Sequence, residues 1–410
     1  MNSRTEMQEI VGELIRESLP DAAVLRALNA LEPPRGKTMV VAVGKAAWRM
    51  AKAAADALDR RYAAGFVITK YRHSEGEIPG MRIFEAGHPQ MDENGVRATE
   101  EVLSAMQGLS ADDRVLLLIS GGGSALFEKP LVPLAELQDV NRQLLASGAD
   151  IVEINTIRKR LSAVKGGRFA QACAPAAVVS IILSDVVGDR PDMIASGPAC
   201  PDASTSAEAL EIVRKYGLRL SERALGLLSA EPVRALDNAA VQVTGGVRQL
   251  CHSAVEACAR RGYQPVLLTD CLGCEAREAG RFLGNIARTH ANGGERLAFI
   301  AGGETVVHLR GSGRGGRNQE LALALGGEIE GLHNVCAFSL GSDGTDGPTD
   351  AAGGMVDGGS WACLRAQGLS PQAFLDNNDA YAALKACDGL IVTGATGTNV
   401  NDVSIVLIDR

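Results

Sequence analysis

Uninterrupted aliphatic runs constrain the fold of this chain more than any other feature. Met39-Val40-Val41-Ala42-Val43, Phe66-Val67-Ile68, Val115-Leu116-Leu117-Leu118-Ile119 and the run from Val178 to Leu183 are apolar nearly throughout and do not alternate with polar residues. A strand of that kind is covered on both faces, as in a parallel sheet between two helix layers. Helical stretches separate the runs. One is Ala-rich and extends from about Lys45 to Leu58, and a longer one extends from Ile151 to Cys173 with Gly166-Gly167 interrupting it. The expected class is α/β, its first half a Rossmann-like three-layer α/β/α arrangement around a largely parallel sheet.

The rhythm restarts at Val241 with a strand, a helix from Cys251 to Arg261, a strand from Pro265 to Thr269, a further helix and the run Leu297 to Ala301. The last part is richer in glycine and short strands and closes on Val403 to Ile408. A length of 410 residues accommodates two cores. Glu231-Pro232 lies in a mixed polar stretch between the halves, which places domains at 1–235 and 236–410. The second is expected to be smaller, with a mixed sheet. Ile10, Val11, Leu14, Ile15 and Leu19 have helical spacing and predict an amphipathic helix packed on the body.

Charge and cysteine content narrow the function classes. With 41 basic and 49 acidic residues the chain carries −8, so no general attraction to nucleic acid is expected. No segment reads as a secretory signal or a membrane span. Nine scattered cysteines suit a reducing compartment, and a cytoplasmic location is expected. Cys271 and Cys274 form a C-x-x-C without a second pair, and the six histidines form no His-Glu-x-x-His pair, which argues against zinc.

The chemistry is concentrated in polar, glycine-bearing loops that follow strands, where open α/β sheets hold their ligands. Gly44-Lys45 places a lysine at a helix start, against the helix dipole, which makes sense if its ammonium reaches an anion. Ser120-Gly121-Gly122-Gly123-Ser124 offers a backbone N–H nest with two hydroxyls, suited to phosphate oxygens. Asn155, Arg158, Lys159, Arg160, Lys165 and Arg168 form a cationic group, of which Arg158, Lys165 and Arg168 would share a helix face. Asp185 and Asp189 leave a buried strand, at positions typical of a hard-cation ligand, a general base or a turn cap. Asp343, Asp346 and Asp350 lie in a glycine-rich loop able to gather around Mg²⁺, and Thr393 to Asp402 adds hydroxyls and amides.

Arg314-Gly315-Gly316-Arg317-Asn318-Gln319-Glu320 follows the β-type run Thr305 to Leu309 and opens a helix. Glycines, a helix N-terminus and Arg forks together suit phosphate or carboxylate. Gly311, Gly313 and Gly316 also match the G-x-G-x-x-G of dinucleotide-binding folds. The acids that follow, Glu328 and Glu330, fall at a helix end rather than at the tip of a second strand. No complete G-x-x-x-x-G-K-[ST] occurs, and the His-Arg-Asp and Asp-Phe-Gly pair of protein kinases is missing.

Taken in order, these segments resemble the glycerate 2-kinase family, built from an N-terminal glycerate kinase domain and a C-terminal MOFRL domain. The motifs that carry the resemblance are Val43-Gly44-Lys45-Ala46, Ser120 to Ala125, Ile154-Asn155-Thr156-Ile157-Arg158-Lys159-Arg160-Leu161-Ser162, Lys165-Gly166-Gly167, Leu183-Ser184-Asp185-Val186 and Ser196-Gly197-Pro198. Gly302-Gly303-Glu304-Thr305, Gly316 to Glu320, Asp343 to Gly347 and Gly397-Thr398-Asn399-Val400-Asn401-Asp402 complete the set. Two positions depart from the family pattern: Ala395 stands where Pro is expected, and Arg190 follows Asp189 where an acid is common.

The resemblance implies ATP-dependent phosphorylation of D-glycerate at its 2-hydroxyl with Mg²⁺ or another divalent cation. It also implies a MOFRL domain at about 296–405, a site in the cleft between two α/β domains, and allows a homodimer. Lys45, Arg317 and Asp189 would be catalytic. Gly44, Ser120, Gly121, Gly122, Gly123, Ser124, Arg158, Lys165, Glu304, Arg314, Gly316, Asn318, Thr398 and Asn399 would bind substrate or phosphate. Asp185, Asp343 and Asp346 would hold the metal. A nicotinamide-dependent hydroxypyruvate reductase and a non-catalytic metabolite-binding protein are the competing readings.

Overall fold

The computed structural model describes residues 3–184, 188 and 190–410. The chain divides into two compact units, one of 23–184 with 190–244, the other of the N-terminal segment through Ala22 with 245–410. The sequence-based division at 235/236 thus differs from the division by contacts in two ways. The segment from 236 to 244 joins the first unit, and the N-terminal segment through Ala22 joins the second.

In the first unit the aliphatic runs become β1 (Thr38–Val43), β2 (Ala64–Lys70), β3 (Met81–Ala86), β4 (Arg114–Ile119) and β5 (Ala177–Leu183), joined by β6 (Ala239–Gly245). Their order is β3-β2-β1-β4-β5-β6. β1 is parallel to both β2 and β4, β2 to β3, and β4 to β5. Every residue of β1 and β4 is buried, as their unbroken apolar runs require. The strand at Val241, expected to open the second half, lies instead beside β5, where the Val178 N–H donates to the Asn238 carbonyl at 2.7 Å. Strand order reverses between β1 and β4, and an open α/β sheet parts its loops at such a switch point.

A satellite core lies among helices Leu134–Ala146, Ile151–Arg160, Ser206–Tyr216 and Glu222–Ser229, with Leu137, Val140, Leu144, Ile157, Ala209, Ala224 and Leu228 buried in it. The helical stretch expected from Ile151 to Cys173, with a glycine interruption, is two helices, Ile151–Arg160 and Arg168–Cys173. Gly166 and Gly167 between them adopt the left-handed region.

The second unit holds β7 (Gln264–Leu272), β8 (Leu297–Gly303), β9 (Val335–Gly341), β10 (Gly353–Asp357), β11 (Leu390–Ile391) and β12 (Asp402–Ile408), ordered β11-β10-β9-β12-β8-β7. β7 and β8 run parallel, while β12 is antiparallel to both β8 and β9, so the sheet is mixed. The N-terminal helix Ser3–Glu17 belongs here. Tyr263 donates its hydroxyl to Glu6 at 3.1 Å, and Arg260 and Arg261 pair with Glu13. The expected strand Thr305 to Leu309 is not formed. Val306 makes one isolated bridge to Glu275, and Val306 and Leu309 are exposed.

Helix Arg317–Glu328 is buried from Asn318 through Gly326, because it packs between the sheet and helix Ala276–His290. The two helices approach so closely that a Cβ at Gly280 would collide with the Leu321 carbonyl. Overpacking of this kind costs about 1–3 kcal/mol. Gly280→Ala should therefore lower the urea midpoint of unfolding by a corresponding amount, with the slope of the transition unchanged.

Candidate active site

The loops after β1 and β4 are tied together at the switch point. Ser120 donates its N–H to the Val43 carbonyl at 3.0 Å, Lys45 donates its N–H to the Gly121 carbonyl at 2.8 Å, and the Ser120 hydroxyl accepts from the Ala46 N–H at 3.0 Å. Gly44 makes this contact sterically feasible: its φ is 122°, and a Cβ would run into the Ser120 hydroxyl and carbonyl. Among the described residues, neither the Gly121 nor the Gly122 N–H has a protein acceptor. These two donors lie beside Lys45, which is exposed and pairs with no carboxylate among the described residues. Lys45 lies just before the N-cap of helix Ala47–Ala57 rather than in its first turn.

A buried group holds this nest from behind. Lys165 is fully buried, 3.2 Å from Glu128, and its ammonium donates to the Phe127 carbonyl at 3.0 Å. Arg158 donates to the Ser124 carbonyl at 2.9 Å. Both ends of the short helix Gly123–Leu126 are fixed in this way. Burial pushes the Lys165 ammonium down to about 8, with Glu128 opposing that shift. Arg168 donates instead to the Lys159, Arg160 and Ser162 carbonyls. Arg158, Lys165 and Arg168 therefore do not form one cationic face, because the chain leaves helical geometry after Arg160. The Ser124 hydroxyl lies 3.3 Å from that of Ser196, which donates to Asn155 at 2.7 Å. Ala195 and Ser196 both hold positive φ here, a conformation that non-glycine residues adopt at some cost.

In the second unit, Arg317 forms a bidentate pair with Asp402, with Nε and Nη2 at 2.5 and 3.1 Å from its two oxygens, and its Nη1 reaches Glu304 at 2.8 Å. Burial pushes Asp402 up to about 6 even though both Arg317 bonds oppose that shift. Asp346 is buried and accepts from the N–H groups of Asn318 and Gln319 at 3.1 and 2.9 Å, so it caps the helix that Arg317 opens. The N–H groups of Gly311 to Arg314 are likewise occupied, by Asn378, Asn377 and Asp379. The front of the glycine turn, Gly311 to Arg314, and the Asn318 and Gln319 N–H groups are therefore satisfied by the protein itself, and no dinucleotide turn is built there, whereas among the described residues the N–H groups of Gly315, Gly316 and Arg317 have no protein acceptor. Beside them lies a cavity of about 810 Å³ whose lining includes Glu304, Arg317, Asp343, Thr345 and Gly347.

The family model described as a domain of unknown function, DUF4147, matches residues 6–229, and the MOFRL family model matches 297–402. A D-glycerate 2-kinase of Thermotoga maritima is 50% identical over 98% of this chain and 97% of its own length. The chain belongs to the glycerate 2-kinase family. The crystal structure of a glycerate kinase from Thermotoga maritima superposes with a TM-score of 0.94 at 50% identity, covering 98% of this chain and 99% of that one. An Agrobacterium vitis protein provisionally named a hydroxypyruvate reductase is 40% identical over 100% of this chain and 95% of its own length.

Within this glycerate 2-kinase family chain, the structure brings Gly44, Lys45, Ser120, Gly121, Gly122, Gly123, Ser124 and Arg158 together. Lys165 supports that group from the interior. Asn318 is buried, donating to Asp346 and accepting from Ser339, and the Thr398 hydroxyl donates to the Ser18 carbonyl at 2.6 Å. Arg314 stacks on Tyr381 and donates to the Pro348 carbonyl, while Asn399 is exposed. Asp185 and Asp189 lie outside the described residues. His88 was missed by sequence reasoning, which considered histidines only as metal pairs. Its ring lies against the nest: a Cβ on Gly122 would stand 3.0 Å from its Cδ2. The available signal was its position just beyond β3, like the other loop residues singled out.

Removing one member of a buried ion pair leaves the other uncompensated, at a cost of about 3–5 kcal/mol. Lys165→Met should be destabilised on that scale in chemical denaturation, and adding Glu128→Leu should recover most of the loss. Both variants should lose activity, because the Phe127 carbonyl loses its donor.

Proposed function

We propose that this protein is an ATP-dependent kinase that transfers the γ-phosphoryl group to the 2-hydroxyl of D-glycerate, yielding 2-phosphoglycerate and ADP. The observation that carries this reading is the cradle of Gly121 and Gly122 N–H donors and Lys45, unengaged among the described residues, at the sheet's switch point. Phosphoryl transfer depends on positioning and charge neutralisation, and this group supplies both to an anionic reactant. Its place in a family whose Thermotoga maritima relative is named a D-glycerate 2-kinase supports the choice of acid. The reductase reading has less support, since the first four N–H groups of the G-x-G-x-x-G turn, Gly311 to Arg314, are engaged by Asn377 to Asp379.

Arg317 retains one hydrogen on each terminal nitrogen beyond its bonds to Asp402 and Glu304, and we assign those to a reactant's phosphate or carboxylate. Among the described residues no three metal-ligating side chains converge, and Asp346 serves as a helix cap. That donor set fits a magnesium ion bound mainly by nucleotide phosphates, with Asp343 and Glu304 of the cavity lining as the protein carboxylates. When bound, the ion would neutralise charge on the phosphates.

Phosphorus NMR of the purified protein with ATP, Mg²⁺ and D-glycerate tests the reading directly. A 2-phosphoglycerate resonance is expected, whereas 3-phosphoglycerate would overturn the regiochemistry. Intact ATP would overturn the kinase reading and favour a binding protein. NADH oxidation by hydroxypyruvate in the absence of coupling enzymes would favour the reductase. Lys45→Ala should lower kcat by about 10²–10³-fold while the thermal transition stays in place. Arg317→Lys should be nearly as damaging, since a lysine cannot reproduce the two-pronged contact with Asp402 and still face a ligand.

A further inference from the structure

Resting on that kinase reading, we propose that His88 is a further catalytic residue, the base that takes the proton from the substrate hydroxyl. Its ring edge lies beside Gly122, whose N–H has no acceptor among the described residues, for a Cβ on Gly122 would stand 3.0 Å from Cδ2, 3.1 Å from Nε2 and 3.3 Å from Lys45 Cγ. An anion seated on the Gly121 and Gly122 N–H groups and Lys45 therefore lies within reach of an imidazole nitrogen. Among the described residues, the charges acting on His88 are all cationic: Lys45 after β1, Lys70 at the end of β2, and His73 in the loop beyond it. That loop is anchored by Glu85, which accepts from the Ser74 N–H and hydroxyl, and His73 is fixed to the Tyr71 carbonyl. Asp92, the nearby acid in sequence, is bound to the Tyr71 hydroxyl and the Gly95 N–H.

Burial first, and then Lys45, Lys70 and His73, hold the His88 imidazole below its usual 6.5, so it is neutral at pH 7 with a lone pair to offer. An anionic reactant neutralises those same cations, which makes the imidazolium easier to form once the reactant is in place. The step balances as follows. The hydroxyl oxygen forms a bond to the γ-phosphorus, and the bond from that phosphorus to the β,γ-bridging oxygen breaks with its electron pair leaving on ADP. The hydroxyl proton passes to the His88 nitrogen and later to water.

Steady-state kinetics of wild type, His88→Ala and His88→Gln, with ATP, Mg²⁺ and D-glycerate from pH 5 to 9, test the assignment. A positioned base contributes about 10²-fold or more. Both variants are expected to lose about that factor in kcat, with each KM within about threefold of wild type. Wild-type kcat/KM should fall with unit slope on the acid side, at an apparent pKa below about 6.5, and both variants should lack that limb. Rescue by glutamine, an acid limb that survives in His88→Ala, or an effect confined to KM would each overturn the base role. A wild type that phosphorylates no glycerate would overturn the kinase reading and this assignment with it. An NMR titration guards against misfolded variants: in the wild-type chain, the His88 imidazole pKa should rise when D-glycerate is added. An unchanged value would count against the proposal.

Discussion

The site depends on one close approach, that of the backbone after β1 to the backbone after β4. Both strands end at the same level because they pair in parallel register, Val43 with Ile119. The turns beyond them then share three hydrogen bonds, leaving the Gly121 and Gly122 N–H groups without acceptors among the described residues. Only glycine tolerates position 44, where a side chain would occupy the space of Ser120. Unsatisfied backbone donors at a strand end are costly unless water or a ligand meets them, which is why their presence beside a lysine that pairs with no described carboxylate carries functional meaning.

Rigidity behind the nest comes from charge rather than from apolar packing alone. Lys165 and Arg158 each take a carbonyl of the short helix Gly123–Leu126 or its exit, and Glu128 balances them. Buried ions of this kind contribute little net stability but are intolerant of partial loss. They fix where the donors point, and a phosphate or carboxylate site needs that positional accuracy. The second unit uses its charges in a similar way. Asp346 caps the helix opened by Arg317, while Asp402 and Glu304 orient the guanidinium.

The long apolar runs were legible as parallel strands because burial on both faces leaves no room for alternation, and β1, β2, β4 and β5 lie where those runs are. Glycine-rich loops after strands were legible for the same reason that they work: few residues other than glycine permit such backbone approach. The exceptions have physical causes. Thr305 to Leu309 is apolar enough for a strand, yet it finds only one bridge and stays largely exposed. Gly311 to Gly316 has the spacing of a phosphate turn, yet Asn377, Asn378 and Asp379 approach from elsewhere in the chain and bind the N–H groups of its first part, Gly311 to Arg314. Lys165 and Thr398 looked like ligand groups by type, and their partners, Glu128 and the Ser18 carbonyl, are distant in sequence.

By itself the sequence determined the class of fold, the identity of the loops that bear chemistry and the sign of charge they present, because apolar periodicity, glycine placement and residue type are local properties. Tertiary structure alone decided which polar groups remain free. Whether a lysine, an aspartate or a backbone N–H meets a ligand depends on what else in the molecule has already bonded to it. Those partners come from β-strands, caps and loops far along the chain: among the described residues Lys45 is left open, Asp346 is consumed as a cap, and His88 is brought to the nest by the pairing of β3 with β2.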